Sequence, residues 1–247
     1  MPFTLAHPAL ILPMAKSKRF SLTALIAGSI VPDFEFFFQM KEVENIGHHW
    51  YGIILFDVPM AWLFCYLFHG LLKNILVANL PAYYKNRFTP LLRFNWIQYA
   101  DAHKAKVFFS ILCGVATHIL WDGFTHADGM FVEIVPPLST MVHIGSKQFP
   151  VFYLLQVIFS LAGMLFLFRT ITQLPVAESH AGFPLKNRFF WPLLLMLFAV
   201  IFSIRINYWP QHNSFWGIVM AGMGGLTYAW ILGSILIQQF QILKNKS

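Results

Sequence analysis

Three polar residues at successive spacings of four, His118, Asp122 and His126, interrupt the otherwise apolar segment GVATHILWDGFTHADG at residues 114–129. Positions four apart drift only about 40° around an α-helix, so the spacing predicts one polar stripe on one helical face. Two imidazoles and a carboxylate on such a stripe make a partial metal site, by the convergence that lets the two histidines of H-E-x-x-H hold zinc. The competing reading is that His118 and Asp122 only hydrogen-bond each other between packed helices. Ionisable groups beside a hydrophobic span are expensive to keep, which makes a functional role the default hypothesis.

Four further residues could complete the site: His7, Asp33, His48 and His49. Asp33 follows Pro32, which predicts a helix end or kink with the carboxylate at the break. His48 and His49 stand just before the start of an apolar span. A divalent ion requires deprotonated carboxylates and neutral imidazoles, and a His/Asp set without thiolates suits zinc, and also manganese or iron. Such an ion lowers the pKa of bound water to about 7, which gives hydrolytic chemistry at neutral pH. His7, Asp33, His48, His118, Asp122 and His126 are enough donors for one ion or for a bridged pair, and the sequence leaves both open. Asp128 and His143 share the following loop and are candidate supporting groups. Glu35 is either an acid or base two residues after Asp33 or an interfacial carboxylate. Asp57, near a span start, reads as a packing partner. His69 reads as an interfacial histidine, and His103, His180 and His212 as solvent-facing. No G-x-S-x-G nucleophile motif is present, and no residues are assigned to an organic cofactor.

The elements that must position these groups are apolar helices. Of 247 residues, 57% are hydrophobic and only 11% charged, with a mean hydropathy of +0.61. Soluble domains carry about 25% charge, so the composition predicts membrane integration. The first apolar element starts at Ser21 and is too short to span unless it continues past Pro32 through Phe38, as a kinked span or a re-entrant hairpin. Further spans are expected at 52–72, where Pro59 predicts a kink, and at 107–121, 149–168, 189–204 and 215–237. Gln156 and Ser160, four apart, are expected to hydrogen-bond across helices. Cys65 and Cys113 lie inside spans and read as packing residues. The fold class expected is all-α, a polytopic transmembrane bundle of five or six spans in a single integral membrane domain over residues 1–247.

The net charge of +7 is distributed in short loops, which fits orientation by cytoplasmic positive charge and contact with anionic lipid. Residues 73–106 carry Lys73, Lys85, Arg87, Arg93, Lys104 and Lys106 against Asp101 alone, interleaved with aromatics. This reads as a surface-lying amphipathic segment at the membrane rather than a nucleic-acid site. Placing it, residues 169–188 and the Lys244/Lys246 tail in the cytoplasm puts both termini there and leaves the loops 39–51 and 122–148 outside. A bacterial cytoplasmic (inner) membrane is the expected location.

The segments TLAHPALILP, LIAGSIVPDFEFF, HHWYGIILFDVPMAWLFCYLFH, GVATHILWDGFTHADG and FPVFYLLQVIFSLAGM resemble, in content and order, a bacterial family of polytopic membrane proteins defined only as a domain of unknown function. More distantly, H…G-S-x-x-P-D…H…H-x-x-x-D-x-x-T resembles the membrane-bound metal-dependent hydrolases and the zinc-dependent phospholipase C group. That resemblance implies His7, Asp33, His48, His118 and Asp122 as metal ligands or their close partners, and Thr125 in the motif's hydroxyl position. It prefers His48 over His49, because His48 lies four before Gly52. His126 is outside the pattern and rests on spacing alone.

The expected function is metal-dependent hydrolysis of a phosphoester or lipid-linked substrate at the membrane surface, with Asp122, His126 and Thr125 as catalytic residues. Membrane lipids are the expected partners. Two rivals use the same residues: a transporter or ion-binding protein with a polar path across the bilayer, and a structural protein whose polar stripe only sets helix packing.

Overall fold

A computed structural model describes residues 3–42, 46–177 and 187–244, with the side chain of Lys244 left aside. A 3-10 turn at Thr4–Ala6 leads into α1 (Pro8–Ile11) and a second 3-10 turn at Leu12–Lys16. Then come α2 (Leu22–Gly28), a 3-10 turn at Val31–Asp33, and α3 (Phe34–Gln39). One continuous helical stretch follows, made of a π-turn at Ile53–Asp57, α4 (Val58–Leu67), a π-turn at Phe68–Leu72 and α5 (Lys73–Asn79). Next are α6 (Ala82–Leu92), α7 (Trp96–Ala102), α8 (Lys104–Asp122) and α9 (Met130–Ile134). A hairpin of β1 (Met141–Ile144) and β2 (Lys147–Pro150) precedes α10 (Val151–Thr172), α11 (Phe190–Tyr208) and α12 (Phe215–Lys244). Helix accounts for 76% and strand for 3%, so the protein is all-α.

Among the described residues, six segments are long and apolar enough to cross a membrane: Leu22–Gln39, Ile53–Asn79, Lys104–Asp122, Val151–Thr172, Phe190–Tyr208 and Phe215–Leu243. The first is broken where Pro32 removes a backbone donor: α2 ends at Gly28, and a 3-10 turn at Val31–Asp33 separates it from α3. Pro59 acts similarly. It cannot donate to Leu55, and the chain takes up the mismatch in the π-turn just before it, where Val58 N–H reaches Ile53 O. The hairpin was not foreseen in the 122–148 loop. Gly145, with φ of 61°, makes its tight turn, and Gly-Ser between short apolar runs is a hairpin signal.

The described residues fall into two compact units, neither continuous in sequence. One comprises residues of Met1–Asp33, Gly47–Trp62 and His103–Gln173; the other comprises residues of Phe34–Ile46, Leu63–Ala102 and Leu174–Ser247.

In the first unit α2 packs along α8, while the N-terminal turns and α1 pack against α10. Gly28 and Gly114 permit the α2–α8 approach: a Cβ on Gly28 would overlap the Ile111 carbonyl, and one on Gly114 would lie 2.8 Å from Ser29 N. Gly163 of α10 does the same for the N-terminal turn, since its added Cβ would lie 2.9 Å from Ala6 Cβ. Phe3 N–H donates to Ser160 Oγ at 2.8 Å, and that hydroxyl donates back to Gln156 O at 2.7 Å. Ser160 therefore ties α10 to the N-terminal segment. Leu161, Leu165 and Phe168 of α10 are exposed, the surface expected of a helix bathed in lipid.

In the second unit α11 packs along α12, and α12 against α3, around Phe190, Leu194, Ala229 and Ile237. Two cations here are interior rather than superficial. Lys73, within the segment read as surface-lying, is buried and donates to Leu91 O at 3.2 Å and Phe94 O at 3.0 Å. It thus caps the carbonyl end of α6, where a positive charge is favourable. Arg205 is 1% exposed. Its Nε donates to Met40 O at 2.6 Å, Nη1 to Asn213 Oδ1 at 2.8 Å and Trp209 O at 3.2 Å, and Nη2 to His212 O at 3.0 Å.

Candidate metal centre

The first unit gathers its polar residues where α2 stops. Pro32 ends the regular helix, Asp33 N–H turns back to Ile30 O at 3.4 Å, and the Ser29 carbonyl has no helical donor four residues on. One turn beyond the Gly28–Gly114 approach, His118 Nδ1 meets that carbonyl at 2.9 Å. A carbonyl only accepts, so the proton sits on Nδ1 and Nε2 is turned the other way.

His118 Nε2 faces two carboxylates, 3.5 Å from Asp33 Oδ1 and 3.2 Å from Asp122 Oδ2. His48 Nε2 faces the same two oxygens, each at 3.6 Å. These four donor atoms all lie within 4.8 Å of one another. Asp33 and His118 are fully buried, Asp122 nearly so, and His48 is about a quarter exposed (23%). Thr4 donates its hydroxyl to Asp33 Oδ2 at 2.5 Å, which leaves Oδ1 to the centre.

The spacing discriminates between a hydrogen-bonded cluster and a coordination site. Separations of 3.2–3.6 Å are long for charge-assisted hydrogen bonds, which run about 2.7–2.9 Å. A cation bound at about 2.0–2.2 Å places neighbouring ligand atoms roughly 3.0–3.6 Å apart. Among the described residues, Asp33 Oδ1, His118 Nε2 and both Asp122 oxygens are buried without a hydrogen-bond partner. Two carboxylates and two neutral imidazoles also balance a divalent charge. The residues present therefore fit a divalent metal.

Asp122 Oδ1 looks away from this group, towards His7 Nε2 at 3.4 Å and His126 Nδ1 at 3.8 Å. His7 is 1% exposed and stacks on His118, with ring centroids 3.9 Å apart and planes 17° apart. Burial, reinforced by the neighbouring His118 ring, lowers the His7 pKa to about 3, so its imidazole is neutral. His126 is not on the same helix as expected, because α8 ends at Asp122. A turn carries it back so that Nδ1 contacts Asp122 O at 3.0 Å. That contact puts the proton on Nδ1 and leaves Nε2 as a base. Burial lowers this group's pKa as well.

Thr125 is buried, and its hydroxyl lies 3.3 Å from Trp121 O and 3.4 Å from Asp122 O, at the carbonyl end of α8. His49 is exposed and stacks on Tyr51, so the structure brings His48, not His49, to the carboxylates. Asp128 and His143 are exposed, and His143 pairs with Gln148 across the hairpin. Glu35, in the second unit, accepts from Ile46 N–H. His69 stacks on Trp96, Cys65 and Cys113 are free thiols, and His180 lies outside the described residues. Thr4 and the Ser29 carbonyl were not anticipated. The only sequence trace of Thr4 is its place three residues before His7, and a backbone carbonyl leaves none.

A family model described as a domain of unknown function, DUF4184, matches residues 1–235, and the chain belongs to that family. No curated protein and no solved structure matches it.

Proposed function

We propose that this DUF4184 member is a metal-dependent hydrolase of the bacterial cytoplasmic membrane, with its C-terminus in the cytoplasm, acting on a phosphoester or lipid-linked substrate at the membrane surface. The observation that carries the reading is His118. Its Nδ1 is committed to Ser29 O, and its buried Nε2 faces two carboxylate oxygens at 3.2 and 3.5 Å without a hydrogen-bond partner among the described residues. A cation between them resolves that arrangement. Zinc suits the His/Asp donor set best, and manganese and iron are compatible with it.

A divalent ion held there supplies Lewis acidity and lowers the pKa of bound water to about 7. Asp33, His48, His118 and Asp122 hold it, and Thr4 and Ser29 fix the orientation of two of these ligands. His126 stands beside Asp122 with Nε2 unprotonated and its ring a quarter exposed (25%), placed to take or return a proton at the substrate. Thr125 acts by holding the turn that presents His126. Access is from the side of His48 and His126. Next to His48 in the chain, Trp50, Tyr51, Ile54 and Leu55 are exposed apolar residues, which suits an amphiphilic substrate.

The test is metal analysis of the detergent-purified chain, followed by a phosphoesterase and lipase screen with and without chelator. Bound zinc or manganese with chelator-sensitive turnover is the expected result. Counterflow in liposomes without turnover would replace the enzyme by a transporter.

A further inference from the structure

We propose that the centre takes two divalent cations, the second held between His7 Nε2 and Asp122 Oδ1, with the Asp122 carboxylate bridging the pair. This rests on the metal reading above and adds a site to it.

The geometry divides Asp122 cleanly. Oδ2 belongs to the four-donor group with Asp33, His48 and His118, whereas Oδ1 is 3.4 Å from His7 Nε2. That separation is again an edge of a coordination sphere rather than a hydrogen bond. The His7 and His118 rings lie nearly parallel, 3.9 Å apart, and each offers its Nε2 to a different oxygen of one carboxylate. Two ions bound in that register lie about 3.5–4 Å apart, the spacing of hydrolytic two-metal centres.

His7 itself supplies the independent observation. It is 1% exposed, and among the described residues neither ring nitrogen has a hydrogen-bond partner. The N-terminal turn brings it there under constraint, seated on Gly163 through Ala6 and tied to Ser160 through Phe3. Among the described residues, the one carboxylate oxygen within 4 Å of its ring nitrogens is Asp122 Oδ1.

The two positions are unequal. Four side chains surround the first, and two buried donors define the second. His126 stands at its rim with Nδ1 bonded to a backbone carbonyl. The second ion is therefore the weaker and keeps positions open for water and substrate. Two dications against two carboxylates leave a double positive charge, which calls for an anionic ligand. A phosphoester meets that need, and a neutral ester does not.

The experiment uses the full-length, tag-free chain in detergent micelles, stripped with chelator and dialysed to equilibrium against Mn²⁺ or Zn²⁺. Saturation at two ions per chain is expected, with dissociation constants at least about 10-fold apart, together with an exchange-coupled Mn²⁺ pair by electron paramagnetic resonance. His7→Ala and His7→Gln should each saturate at one ion, keep the tighter one and lose the coupling. Wild-type saturation at a single ion, or two ions retained in both His7 variants, overturns the second site and leaves the first intact. Binding of no ion by the wild type overturns both.

Discussion

The Nδ1 of His118 and the carbonyl of Ser29 are 2.9 Å apart, and this one contact selects the tautomer on which the centre depends. The Ser29 carbonyl is available because Pro32 ended α2, and it is within reach because Gly28 and Gly114 let two helix backbones touch. A bound ion would then tie α2, α8 and the segment carrying His48 to one another. Chelation should lower the melting temperature reversibly, since at free metal 100 times the dissociation constant the bound ion adds about 2.7 kcal/mol. A melting curve indifferent to chelator and to added zinc would count against the centre.

Asp122 touches every imidazole of the cluster. Asp122→Ala, and the isosteric Asp122→Asn, should abolish stoichiometric metal while leaving membrane insertion intact. Equal metal content in the purified variants and the wild type would contradict the ligand assignment.

Thr4 holds Asp33 through the oxygen that faces away from the centre. Removing that hydroxyl in Thr4→Val should weaken metal binding about 10- to 100-fold, the usual effect of losing a group that orients a ligand. Thr4→Ser, which keeps the hydroxyl, should restore most of it. Competition titration against a chromogenic chelator distinguishes the two variants, and indistinguishable affinities would dismiss the role.

Gly114 has no room for a side chain, because an added Cβ would lie 2.8 Å from Ser29 N and 2.9 Å from Gly28 C, both backbone atoms that cannot swing away. Gly114→Ala should cost about 1–3 kcal/mol through overpacking and should weaken metal binding by shifting Ser29 from His118. Thermal unfolding and metal titration of one preparation check both effects. Gly222, whose added Cβ meets nothing, is the control.

Arg205 tests the second unit. Arg205→Met leaves the buried carbonyl of Met40 and the part-buried one of His212 without this donor, at about 1–3 kcal/mol for the buried group. Arg205→Lys keeps the charge but not the planar fork of donors, so it should fall between methionine and wild type. An unfolding midpoint unchanged by the methionine variant would show the network to be dispensable.

The membrane-type helices were legible because their signal is local: long apolar runs, interrupted by prolines at positions 32 and 59, are read directly from neighbouring residues. His118 and Asp122 were legible for the same reason, since a spacing of four on one helix fixes their common face. The two-unit division was not, because the chain passes between the units at points such as Asp33–Phe34 and Trp62–Leu63, inside apolar stretches where no linker composition marks a boundary.

By itself the sequence determined which residues could ligate and that His118 and Asp122 share one helical face, because residue type and helical period are properties of short stretches. Only the tertiary structure decided that His48 rather than His49 faces the carboxylates, that the two oxygens of Asp122 serve different neighbours, and that Thr4 and a backbone carbonyl hold Asp33 and His118. Those outcomes depend on how closely α2, α8 and α10 approach. That closeness is set by backbone contact at Gly28, Gly114 and Gly163, between segments up to 157 positions apart in the chain.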